Sequence, residues 1–368
     1  MLALLVSSAL AKSWCADPLI AHEWGVTVLT GDAAEPRKPE LPAYFHTPSD
    51  PFAVAAAPVR TLPPDSGVRT LPVVHLYAPA QDRIPLAVEV GFTQGEASVW
   101  YPAVDRRIPA DEANGPEAAA QRAWLLDQRA KLQPMGPRED LGADPTRQLH
   151  WSALALSPEP GGRPVPTDVP WVRDARALDH ALWVDQGTQS ERFLFYEADT
   201  VERSAVTLRV DGDRFALTNT SERPVHDVWV VHGGRSAFVP GIGPGATVRI
   251  AGTPADPALR DTLTNRWTDP TPLPLQRDWA HDGCVMMRDP MKPVETASDH
   301  RLFPAELALL WSVWEDRLLA KDGSHLVYRE DTAALDAVMP VSLYTDMRHD
   351  VRWSRLGLVL VENPEVLP

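Results

Sequence analysis

Between residues 204 and 252 the chain runs through short segments in which apolar and polar positions alternate: SAVTLRVDGDRFALTNTSERPVHDVWVVHGGRSAFVPGIGPGATVRIAG. Alternation of period two puts every second side chain on one face, the signature of strands that bury one side. Asp211-Gly212 stands between two such segments and supplies the positive φ that a tight hairpin turn needs. The block fits the strand pattern of an immunoglobulin-like or fibronectin-like sandwich, in architecture alone, because the Cys–Trp–Cys signature is absent.

The same reading extends along the chain. IAHEWGVTVLT (20–30), VVHLYAP (73–79), IPLAVEVGF (84–92), ASVWYPAV (97–104) and RFLFYEA (192–198) are rich in β-branched and aromatic residues. Gln94-Gly95-Glu96 reads as the turn of a β-meander. Helical spacing replaces alternation at two places. PEAAAQRAWLLDQRAKL (116–132) predicts a surface helix with Pro116 at its first position. In PAELALLWSVWEDRLLAKDG, Pro304 opens a helix whose Leu307, Leu310, Trp311, Trp314 and Leu318 share a face. HLVYRE (325–330) then predicts a strand, TAALDAVM (332–339) a short helix and RWSRLGLVLVE (352–362) a closing strand.

The expected fold is therefore α+β with β dominant: sandwich-like antiparallel sheets and a smaller α/β C-terminal part. Its expected divisions are a leader over 1–11, a β-rich body over 12–252 with the helical insertion near 116–132, a Pro-rich connection over 253–300, and the C-terminal part over 301–368. Proline supports this picture. The chain carries 37 prolines in 368 residues, about twice the usual ~5%. They are scattered through 36–72 and 158–170 in a way that suits rigid surface connections, since proline cannot donate to a ladder.

Charge removes whole classes of partner. With 35 basic against 50 acidic residues and a net charge of −15, the chain is ill suited to a polyanionic nucleic acid or to a polybasic grip on lipid. No window approaches the ~18 uninterrupted apolar residues of a transmembrane span. Residues 2–11, LALLVSSALA, form a short apolar run that ends in Ala9-Leu10-Ala11. That is the pattern of a secretory signal and its cleavage site, and it predicts a periplasmic or extracellular protein, although no basic residue precedes the run. The two cysteines, Cys15 and Cys284, are either a disulfide formed in that oxidising compartment or two unrelated buried thiols. A bridge between them would close a loop of about 270 residues, worth roughly 4–5 kcal/mol on loop-entropy grounds.

The chemistry-bearing stretch is His22-Glu23-Trp24-Gly25. A zinc-protease motif requires His-Glu-x-x-His on a helix, but Val26 occupies the fifth position and the run after it is strand material. In an extended strand His22 and Glu23 point to opposite faces, so they serve one site only if the backbone turns, and Gly25 is where a bulge could turn it. His226 and His232, six apart on the same face of one strand, lie about 20 Å apart, too far for a shared ion. His75 reads as a half-buried strand residue. Asp211 and Asp213 read as a hairpin tip, and His281 near Cys284 lacks the geometry of a nucleophile and its base. The tryptophans of 99–102, 227–231, 309–314 and 351–355 read as core. No cofactor or metal is expected from these patterns.

Ala21-His22-Glu23-Trp24-Gly25, then Trp100-Tyr101-Pro102, then Glu191-Arg192-Phe193-Leu194-Phe195-Tyr196 resemble, in order and spacing, a family of exported bacterial proteins with no assigned activity. The Trp-rich helix with Tyr328, Leu335 and Met339-Pro340 fits the same likeness. Val99 stands where such relatives carry a glutamate before Trp-Tyr-Pro. The resemblance implies export and one continuous fold, and it supplies no reaction. The expected role is a non-catalytic envelope or extracellular component that binds a ligand or builds structure. The alternative is an envelope hydrolase that uses His22 and Glu23 with a third residue from elsewhere.

Overall fold

The computed structural model describes residues 16–30, 39–47, 67–79, 83–104, 148–200, 202–276, 292–346 and 348–367. The leader over 1–11, the helix expected over 116–132, His281 and both cysteines lie outside them. In chain order the strands begin with β1 (Asp17–Thr30), β2 (Gly67–Tyr77), β3 (Ile84–Gly91), β4 (Gly95–Tyr101) and β5 (Gln148–Ser157). Helix α1 (Pro170–Arg176) precedes β6 (Trp183–Gln186), β7 (Gln189–Glu191) and β8 (Leu194–Thr200). The alternating block forms β9 (Val206–Asp211), β10 (Arg214–Asn219), β11 (Val225–His232), β12 (Arg235–Ile242) and β13 (Thr247–Ala251). Helices α2 (Leu259–Trp267) and α3 (Pro304–Leu318) follow, then β14 (Ser324–Glu330) and α4 (Thr332–Val338). The described chain closes with β15 (Val341–Thr345), β16 (His349–Glu362) and β17 (Val366–Leu367).

Three sheets organise these strands. The largest has eight, in the order β12-β11-β14-β16-β1-β2-β8-β4; a five-stranded sheet runs β15-β3-β5-β6-β7, and a four-stranded one runs β13-β10-β9-β17. At the middle of the large sheet β1 and β16 pair in parallel, in register from Asp17↔His349 to Thr30↔Glu362. A parallel pair is normally covered on both faces, and that is the case here. On one face of β1, Ile20, Trp24, Val26 and Val28 enter a core shared with α1 and α3, including Leu307, Leu310, Trp311 and Trp314. On the other, Leu19 and Ala21 meet the five-stranded sheet and Leu29 meets the four-stranded one. The large sheet is thus the middle layer between helices and two smaller sheets.

The block over 204–252 packs as two sheets. The β9–β10 hairpin turns at Gly212 (φ +61°), and β13 returns to pair with β10. β11 and β12 cross into the large sheet, and Val206, Leu208, Leu217, Val228 and Val230 fill the space between the two. The residues of 301–368 contribute β14 and β16 to the large sheet and β15 to the five-stranded one.

Two irregularities aim side chains. β2 carries its extra residue between Thr70 and Val73, where the pairing with β1 shifts; Pro72 sits there, at a position that asks for no ladder N–H. β11 is bulged between His226 and Trp229, with Asp227 at φ +45°. Val225 and Val228 both enter the same core, so the bulge reverses the alternation and His226 and His232 do not share a face, contrary to the simple strand reading. His226 lies 3.5 Å from Asp331, and His232 is 2.8 Å from the Ser324 hydroxyl.

Candidate functional site

β1 runs extended through His22-Glu23-Trp24, and the two ionisable groups leave it on opposite faces. His22 points to the helical side. Its Nδ1–H donates to Oε2 of Glu306 at 2.7 Å, and both side chains are fully buried. Glu306 is there because α3 begins at Pro304. As the third helical residue, its carboxylate reaches back to accept the Phe303 N–H at 2.8 Å and so closes the helix N-terminus. His75, the partner of His22 across the β1–β2 ladder, places Nδ1 3.4 Å from the second Glu306 oxygen, without a hydrogen bond. It is fully buried rather than half-buried. On the far side of His22, Nε2 lies 3.8 Å from Asp269. Phe303 packs on the His22 ring with centroids 4.5 Å apart.

Burial alone would raise the Glu306 carboxyl, but the His22 and His75 rings outweigh it and hold it down at about 2. The Tyr77 hydroxyl feels the opposite pressure: burial, then the Glu306 negative charge, push its pKa well above that of a free phenol.

Glu23 points to the sheet side. There it meets Arg355, its register partner on β16, in a two-pronged pair: Nε and Nη2 each donate to one carboxylate oxygen at 3.0 Å. Arg355 Nη1 donates to Asp336 and to the Met339 carbonyl, each at 2.8 Å. Burial works against this guanidinium, yet the Glu23 charge and the neighbouring Tyr196 and Asp336 raise its pKa above the ordinary arginine value. A small void of about 10 Å³ beside Glu23 and Gly25 has room for a single water. His22 and Glu23 thus belong to two separate buried networks, and the structure does not bring them together.

The open concavity lies beyond Tyr77. A pocket of about 560 Å³ is bounded by Tyr77, Ala78 and Pro79 at the end of β2, by His180–Leu182, by Arg192 and by residues 273–276. Among the described residues, its polar lining is Tyr77, His180, Arg192 and Gln276, and Leu182, Leu273, Pro274 and Leu275 supply apolar wall. The His22–Glu306 network lies behind the Tyr77 wall. His180 adopts φ +68°, a left-handed conformation that costs a non-glycine residue about 1–2 kcal/mol. Arg192 lies over the Trp183 ring at 5.2 Å and donates Nη1 to the Leu178 carbonyl. No carboxylate among the described residues pairs with it.

Among the described residues, no group of three or more His, Cys, Asp and Glu side chains is arranged to hold a metal ion. Glu306, Arg355, Tyr77 and Arg192 were not singled out by the sequence reading as functional. The signal for Glu306 was its place three residues into a helix opened by proline. Arg192 was visible only as one letter of Glu191-Arg192-Phe193.

No protein-family model matches the chain, and no curated protein matches it. Among solved structures it is similar to the Fcho1 Mu homology domain of Danio rerio with a bound Eps15 peptide, at 6% identity and a TM-score of 0.25 over 95% of this chain and 96% of that one. A likeness at that level assigns neither a fold family nor a ligand.

Proposed function

We propose that this chain is an exported binding protein without catalytic activity, and that the pocket beside Tyr77 receives its ligand. The observation that carries this reading is a hollow of about 560 Å³, within the range typical of small-molecule sites, whose described lining sets Tyr77, His180, Arg192 and Gln276 beside an apolar wall. None of those four forms a nucleophile paired with a base. The apolar leader of residues 2–11 supports export.

The competing reading, a hydrolase built on His22 and Glu23, requires both groups at one substrate. A general base must lie within about 3 Å of the proton it takes. These two leave β1 on opposite faces and are already engaged, His22 by Glu306 and Glu23 by Arg355.

Native mass spectrometry of the mature protein, isolated from the cells that make it, tests the reading beside turnover assays with p-nitrophenyl acetate and p-nitrophenyl phosphate. The expected result is a bound small molecule in the wild type, its loss in Gln276→Trp, where an exposed rim residue plugs the pocket, and no turnover. Turnover that disappears in a folded His22→Ala variant would overturn it.

A further inference from the structure

Among the described residues, three buried or partly buried arginines hold a carboxylate in the same way. Arg69 grips Glu202, Arg176 grips Glu191 and Arg355 grips Glu23, each through the Nε–Nη2 edge of the guanidinium. That edge matches the two oxygens of a carboxylate, and the paired geometry offsets the cost of removing charge from water.

Arg192 differs from these three. Its Nη1 is taken by the Leu178 carbonyl, while Nε is buried without a hydrogen-bond partner. Among the described residues it has no ion pair, and it is the arginine that lines the pocket. Nε is closed to a ligand by its burial, which leaves Nη2 as the donor. An unpaired guanidinium on a pocket wall is a receptor for an anion that the described residues do not supply.

We propose that the pocket takes an organic acid, its carboxylate on Nη2 of the Arg192 guanidinium and its apolar body against Leu273–Leu275. This rests on the binding-protein reading above. A single unpaired cation in the described lining suits a single negative charge better than a phosphate dianion, and the apolar wall favours an acid that carries a hydrocarbon chain.

Titrations of the whole mature protein with hexanoate, hexanamide and inorganic phosphate, followed by tryptophan fluorescence and calorimetry, test it. Hexanoate is expected to bind with one-to-one saturation at least about tenfold more tightly than hexanamide. Arg192→Gln should remove that preference. Arg192→Lys, which keeps the charge and loses the fork, should fall between them, and matching melting curves show that the variants remain folded. Equal binding of acid and amide, or unchanged hexanoate affinity in Arg192→Gln, overturns the assignment of ligand class and leaves the pocket reading standing. Phosphate that binds as tightly as hexanoate overturns the organic-acid assignment. If none of the three probes binds, the organic-acid assignment falls, and the co-purified ligand and its loss in Gln276→Trp decide the pocket reading separately.

Discussion

Glu306 closes the N-terminus of α3, receives the His22 proton and sits under Tyr77, so one carboxylate ties a helix to the central sheet. Its folded-state pKa of about 2 lies below its ordinary value of 4.5. The unfolded chain therefore binds that proton more readily, and the stabilisation is full above about pH 4.5 and lost as pH falls through about 2. Breaking a buried pair by removing one partner costs about 3–5 kcal/mol. Urea unfolding of Glu306→Gln at neutral pH should show a loss of that size, and the gap to wild type should narrow as the pH is lowered through about 4 toward 2. A gap that stays constant would mean that the charge does not matter. The second network gives its own test: a double-mutant cycle of Glu23→Gln and Arg355→Met should return a coupling of about 1–3 kcal/mol. His22 and Glu23 were visible in the sequence as an odd polar pair ahead of a β-branched run, and strand periodicity already sends them to opposite faces. Their partners were not visible, because Glu306 lies 284 positions from His22 and Arg355 lies 332 from Glu23. No local pattern encodes a contact at that separation.

At the level of elements, helix α3 was legible almost whole, since its apolar spacing, its opening proline and its length are local properties. So was the β9–β10 hairpin, through Asp211-Gly212. The bulges were not, because an extra residue shows only when a partner strand fixes the register. Asp227 illustrates this: its buried carboxylate is held by Arg266, Trp267 and Arg329, a convergence that the run DVWVV does not announce. Close approach offers a sharper test. A Cβ placed on Gly357 of β16 would stand 2.9 Å from Leu335 Cδ2 and 3.0 Å from Glu330 Oε2. Leu335 is buried in α4, and Glu330 is held by Arg69. Gly357→Val should therefore destabilise by about 1–3 kcal/mol, and a second substitution, Leu335→Ala, should recover part of that loss in thermal melts. Additive losses would show that α4 does not press on this glycine.

On the scale of the molecule, the two strands at the centre of the large sheet come from near the two ends of the described chain. β-dominance and two-sheet packing could be read from alternation and turn residues, but the order of strands could not, because β1 meets β16 only after every other pairing has been left open. This arrangement makes the C-terminal segment indispensable. A chain ending at residue 348 loses β16 and exposes both β1 and β14, so circular dichroism and limited proteolysis should find it unfolded; a protected, cooperatively melting product would show that the sheet does not depend on β16. The same layering keeps the His22 and Glu23 networks inside and leaves the hollow by Tyr77 as the place where a ligand meets the fold. The most direct test is a crystal grown with hexanoate at saturating concentration. Difference density should show the carboxylate at Nη2 of Arg192 and the alkyl chain along Leu273–Leu275. Density lodged elsewhere, or none in that pocket, would contradict the account.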